Sequence, residues 1–148
     1  MENKNILQEI QSELKAPKGQ RNNSGNYQYR SAEDILEAVK PILAKHKCAL
    51  VINDEMVEVG SRIYVKSTAM LALENQPFAS ATAFAREAET KKGMDDAQIT
   101  GAASSYSKKY ALNSLFAIDD TKDADFSNKH NNNSSVTKKV ATTNNELI

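Results

Sequence analysis

Apolar residues recur along the chain first with a helical period, then with a strand period, then with a helical one again. Ile6, Ile10 and Leu14 are spaced by four, which predicts a first helix over residues 3–16, ended by Pro17 and Gly19. Residues 18–26 are polar and glycine-containing, and predict a mobile loop. Tyr27-Gln28-Tyr29 reads as a short extended piece. Ser31 is placed to cap a second helix whose Ile35, Leu36, Val39, Ile42 and Leu43 face a core. Pro41 falls inside that helix and predicts a kink near Val39, because the apolar spacing continues beyond it.

Three strands follow. Residues 49–59 open as an apolar run, and Gly60-Ser61 supplies a turn. Residues 62–73 then alternate: Ile63, Val65, Ala69, Leu71 and Leu73 point one way, Arg62, Tyr64, Lys66 and Thr68 the other. After a turn at Glu74-Asn75-Gln76, residues 77–88 place Ala79, Ala81, Ala83 and Ala85 on one face. Phe78, Ser80, Thr82, Phe84 and Arg86 fall on the other. A row of alanines lets another backbone approach closely. The next element, a helix from about Asp95, carries Ala102 and Ala103 on a stripe with Ile99, Tyr106 and Tyr110. Asp95 with Gln98 three residues on makes a capping-box start. The predicted fold is α+β: a three-stranded antiparallel meander packed by this long helix, a β-β-β-α core, with N-terminal helices. A second apolar patch on the helix, Ala97, Ala111, Leu112 and Leu115, calls for a further partner, either the second helix or a neighbouring subunit.

From Thr121 onward, asparagine, serine, threonine and lysine dominate, which predicts a disordered tail. The chain therefore divides into an N-terminal helix and loop (1–24), a folded core (25–120) and a polar tail (121–148).

Composition narrows the chemistry. Lysine plus arginine equals aspartate plus glutamate at 19 each in 148 residues, so a polyanion site must come from local clustering. The single cysteine, Cys48, excludes an internal disulfide and fits a reducing compartment. No leader-like opening is seen and no apolar run approaches the ~18 residues of a membrane span, so the expected compartment is the cytosol or a nucleus, with no membrane partner. The two histidines, His46 and His130, and Cys48 have no sequence cue for a catalytic neighbour, and no GxxxxGK[ST] loop or clustered cysteine–histidine set occurs. No enzyme activity, cofactor or metal is expected. Asp119, Asp120, Asp123 and Asp125 could hold a divalent ion, but an EF-hand loop opening at Asp119 would need glycine and glutamate where Ala124 and His130 stand. The aspartates read better as a solvated helix exit.

Polyanion binding has more support. Arg62, Tyr64, Lys66, Phe84 and Arg86 share one predicted sheet face, mixing cations and rings as single-strand-binding surfaces do. Lys91 and Lys92 lie in the loop before the long helix, and Lys108 and Lys109 on it. The alternative is that Phe78, Tyr64 and Phe84 pack under the first two helices, with the cations solvated at the margin.

The run Gly101-Ala102-Ala103-Ser104-Ser105-Tyr106-Ser107-Lys108-Lys109-Tyr110-Ala111-Leu112, followed by Phe116-Ala117-Ile118-Asp119-Asp120 and Asp123-Ala124-Asp125, resembles the ERF family of single-strand annealing proteins of phages and prophages. The segment from Tyr27 through Arg30 and Asp34 to Leu36, with Val39-Lys40-Pro41-Ile42-Leu43, resembles the opening of that family, and the match spans about residues 25–125 in the family's order. Lys109 stands where arginine is usual, and Ala117 where glycine is usual. Lysine keeps the charge and lacks the planar fork.

The resemblance implies ATP-independent binding of single-stranded DNA, annealing of complementary strands in recombination, and assembly into a homo-oligomeric ring or filament in a bacterial host's cytoplasm. It further suggests a single-strand-binding protein or an exonuclease as partner. Lys108, Lys109, Arg62, Lys66, Arg86, Lys91 and Lys92 would then line a DNA groove with Tyr64 and Phe84. Gly101, Ala102, Ala103, Tyr106 and Tyr110 would seat the helix on the sheet. Two other readings are an oligomeric adaptor that recruits partners and a metal-dependent nuclease using the aspartates.

Overall fold

The computed structural model describes residues 2–22, 25, 27–89 and 93–119. In chain order its elements are α1 (Glu2–Glu13), β1 (Gln20–Asn22), β2 (Tyr27–Tyr29), α2 (Ala32–Lys45), β3 (Cys48–Val59), β4 (Arg62–Leu73), β5 (Gln76–Arg86) and α3 (Asp96–Phe116). The expected α+β fold is what forms: β3, β4 and β5 make an antiparallel meander in that order, with α3 packed against it.

Register fixes which side chains share a face. Leu50 opposes Leu71 and Ile52 opposes Ala69, and Ala69 and Leu71 in turn oppose Ala81 and Ala79 on β5. This inner face meets the helices. Glu74 and Asn75, at φ 52° and 66°, form the two-residue turn between β4 and β5, a conformation that asparagine tolerates better than glutamate. A register shift beside Leu71 and Ala72 leaves Phe78 as an extra residue on β5. Phe78 consequently packs against the core instead of standing with Ser80 and Thr82 on the outer face.

Two capping boxes start the long helices. Ser31 accepts from the Asp34 N–H while the Asp34 carboxylate accepts from the Ser31 N–H; Asp95 and Gln98 do the same for α3. Pro41 does not break α2, which runs continuously from Ala32 to Lys45. The loop expected over residues 18–26 instead contains β1, paired antiparallel with β2 from Gln20–Tyr29 to Asn22–Tyr27. The tail from Asp120 onward, including Asp123 and Asp125, lies outside the described residues.

The core is a continuous cluster joining α1 (Ile10), α2 (Ile35, Val39), the sheet (Ala69, Leu71) and the C-terminal half of α3 (Ala111, Leu112, Leu115, Phe116). Burial of each large aliphatic there contributes about 1.5–3 kcal/mol. Ala111, Leu112 and Leu115 of the second apolar side of α3 thus find their partners within the chain, in α1 and α2, whereas Ala97 stays exposed. Polar contacts lock the same junction. His46 and Lys45 at the end of α2 reach Glu13 of α1, both at 3.1 Å, and Gln11 donates to the Leu115 carbonyl at 2.9 Å. Arg30 donates through Nε to the Ala16 carbonyl and through a terminal nitrogen to that of Asp119. At the end of α3, Ala117 adopts the left-handed conformation (φ 56°, ψ 45°), and Ile118 N–H reaches back to the Asn113 carbonyl at 2.8 Å.

Candidate functional site

The helices cover only the inner sheet face, so the outer face of β4 and β5 carries no helix. There the register sets Tyr64 opposite Arg86 and Lys66 opposite Phe84, with Arg62 one step further along β4. Cation and ring alternate diagonally across the strand pair, at a spacing where long side chains touch. Phe84 is 52% exposed, so the reading in which Tyr64 and Phe84 pack under the first helices does not describe Phe84. Arg62 lies 3.5 Å from Glu89 and Lys66 3.6 Å from Glu55, each an exposed pair. Such surface pairs are weak, at about 0–1 kcal/mol, and a phosphate can replace the carboxylate. Arg86 makes no ion pair among the described residues. Lys91 and Lys92 lie outside them.

Lys108 and Lys109 do not join this face. They ride on α3, which packs on the other side of the sheet, so one chain divides the expected cations between two faces. Lys109 places its ammonium 5.5 Å from the centre of the Tyr29 ring, a cation–π distance that links the two separated segments of the sequence signature. Lys108 lies 3.6 Å from the Asp54 carboxylate of β3. That carboxylate also accepts from the hydroxyls of Ser67 and Ser104, and Ser67 bonds the Ser107 hydroxyl, both serines being fully buried. Partial burial by itself pushes the Asp54 carboxyl up, but the two hydroxyl donors and the Lys108 ammonium together hold it below the usual carboxylate range.

This network has a sequence signal. Ser67 interrupts the apolar row of Val65, Ala69 and Leu71, and Ser107 sits four residues from both Ala103 and Ala111. A polar residue on each of two facing apolar stripes marks a buried hydrogen bond.

The signature residues of α3 also separate by role. Ala103 is buried and Ala102 half-buried against the sheet, as close packing requires. Gly101 is exposed, and a Cβ built there would meet nothing within 4 Å, so no close backbone approach among the described residues requires a glycine. Tyr106 and Tyr110 are 56% and 45% exposed, not seated on the sheet. Their rings stack with centroids 6.2 Å apart and planes inclined by 26°. They line an open groove of about 400 Å³ between α3 and the edge strand β5, floored by Ile99, Ala103 and Ala85 and bordered by Phe84, Arg86 and Met94. Alternation and helical spacing placed the tyrosines on the Ile99 side of the helix. Only the width of the sheet shows that they overhang its edge.

Cys48 is half-buried, and burial pushes its thiol up, away from the reactive thiolate. Among the described residues no group of histidine, cysteine, aspartate or glutamate side chains could hold a metal ion, and no helix is long and apolar enough to cross a membrane.

No solved structure matches the chain. The essential recombination function protein of Salmonella phage P22 is 58% identical to it over 119 residues, which cover 80% of this chain and 57% of that protein. The chain thus corresponds to little more than half the length of this relative. Residues 4–147 match the ERF superfamily, a span that takes in the capped helices, the meander and the tyrosine–lysine helix described above. The chain belongs to the ERF superfamily.

Proposed function

We propose that this chain binds single-stranded DNA and anneals complementary strands in recombination, without ATP, as a homo-oligomer. The observation that carries the reading is the helix-free sheet face, where Tyr64–Arg86 and Lys66–Phe84 pair cations with rings across neighbouring strands. Cations neutralise backbone phosphates and flat rings take any base, a combination that suits sequence-tolerant binding of single strands. The name of the phage P22 relative, an essential recombination function protein, supports recombination as the setting.

Annealing needs no chemical step. It requires that two strands be concentrated and kept extended, with their mutual repulsion screened, while bases search for partners. A row of cations repeated from copy to copy would supply the screening. Lys108 and Lys109 on the opposite side of the sheet would serve a second stretch of strand or a neighbouring copy's strand.

Fluorescence-quenching annealing of complementary oligonucleotides in the absence of nucleotide tests the reading. The wild-type chain should accelerate pairing, and a rate equal to the protein-free control overturns it. The charge-swap variant Lys66→Glu with Arg86→Glu should abolish the acceleration while the fold, followed by circular dichroism, is retained.

A further inference from the structure

Large apolar side chains that stay exposed are concentrated in one place. Of the seven among the described residues, Phe84, Met94, Tyr106 and Tyr110 line the groove between α3 and β5. An exposed apolar cluster of this kind marks a binding surface. Its shape is set by the two elements beneath it. Alanines on β5 and Ala102 and Ala103 on α3 bring helix and sheet close together, leaving a narrow apolar floor. On one wall the Tyr106 and Tyr110 rings stand one helical turn apart and stacked on each other, both exposed.

Charge then selects the occupant. Three acids of the flanking segments are engaged within the fold: Glu87 accepts from the Thr100 hydroxyl at 2.9 Å, Asp95 accepts from the Gln98 N–H at 2.9 Å, and Glu89 pairs with Arg62, while Asp96 in the first turn of α3 is exposed. Arg86, at the groove's border, has no such partner among the described residues. A groove with stacked rings on its wall and an uncommitted guanidinium at its mouth fits a flat apolar group that carries an anion beside it. A nucleotide is such a group.

We propose that the α3–β5 groove is a nucleobase-stacking subsite, in which unpaired bases stack on Tyr106 and Tyr110 while Arg86 meets the adjoining phosphate. The proposal rests on the single-strand-binding reading above and adds to it a component of affinity that salt does not screen.

Anisotropy titrations of fluorescein-labelled oligothymidine at several salt concentrations, using the full chain, test it. Tyr106→Leu with Tyr110→Leu should weaken binding about tenfold per tyrosine while leaving the salt slope unchanged. Tyr106→Phe with Tyr110→Phe keeps the rings and should bind as wild type. Arg86→Gln should lower the salt slope by about one. Wild-type binding that the double leucine variant matches overturns the subsite and leaves the binding reading intact. No binding by wild type removes the binding reading, and the subsite with it. Loss of binding that tracks a fall in sedimentation mass of the leucine variant would make the groove a contact between copies and overturn the proposal.

Discussion

Lys108 of α3 stands 3.6 Å from the carboxylate of Asp54 on β3. The carboxylate occupies the place that a phosphate would take on that ammonium, and two serine hydroxyls hold it there. Lys108 is therefore partly neutralised by its own fold. Asp54→Asn should tighten single-strand binding and steepen its salt slope by about one, because one more cation becomes available to phosphate. Lys108→Ala in the wild-type background should change binding only slightly, and in the Asp54→Asn background should cancel the gain. Equal slopes for wild type and Asp54→Asn would dismiss this account.

The same network predicts an acid response. A carboxyl held below its ordinary value stabilises the fold above that value and loses the contribution as pH falls through the lowered one. Asp54 and Glu13 both behave so; Glu13 is lowered by its hydrogen bonds with Lys45 and His46. Thermal melts from pH 7 to pH 3 should show stability falling on the acid side, with a shallower fall in Asp54→Asn and in Glu13→Gln. Superimposable pH profiles would exclude either group as a contributor.

Ala117 holds a left-handed conformation at the end of α3, which costs a residue with a Cβ about 1–2 kcal/mol. Glycine relieves that strain but gains about 0.4–1 kcal/mol of unfolded-state freedom. Ala117→Gly should therefore raise stability in urea by about 0.5–1 kcal/mol. An unchanged or lower midpoint would contradict the strain.

Gly101 lies within α3 with open space where a Cβ would be. Gly101→Ala should stabilise the isolated fold by up to about 1 kcal/mol through helix propensity alone. A variant that is more stable yet slower in annealing would show that another molecule approaches the helix at this point. A destabilised variant would contradict the open space.

Ala103 is buried where α3 meets the sheet. Ala103→Leu adds volume to a seam built from small residues and should cost about 1–3 kcal/mol or more, read as a lowered urea midpoint. Tolerance of leucine would mean that the alanine rows do not set the helix–sheet distance.

Much of this arrangement is legible in the chain. Alternation over residues 62–73 and the alanine row of 79–85 specify the inner sheet face, since a period of two leaves one assignment of sides. Ser31, and Asp95 with Gln98, announce both helix starts, because capping is decided by residues close along the chain. Contacts between distant segments seldom leave such a mark, the serines that interrupt two apolar stripes, Ser67 and Ser107, being an exception. The β1–β2 hairpin lies in a stretch too polar to show a period, and the Phe78 bulge is a one-residue shift that alternation cannot register. Pro41 could kink or break a helix, and α2 continues through it, as the apolar spacing beyond it suggests.

By itself, then, the sequence determined the β-β-β-α order, the two capped helices, the small-residue seam and the signature that places the chain in its superfamily, because each depends on neighbours close along the chain. The tertiary structure alone decided which cations share a face. Packing α3 on the inner side of the sheet separates Lys108 and Lys109 from Arg62, Lys66 and Arg86. It also lays Lys108 against Asp54 and leaves Tyr106 and Tyr110 over the edge of β5. Those relationships depend on where a helix crosses a sheet of finite width, a matter of three-dimensional packing that no spacing along the chain encodes.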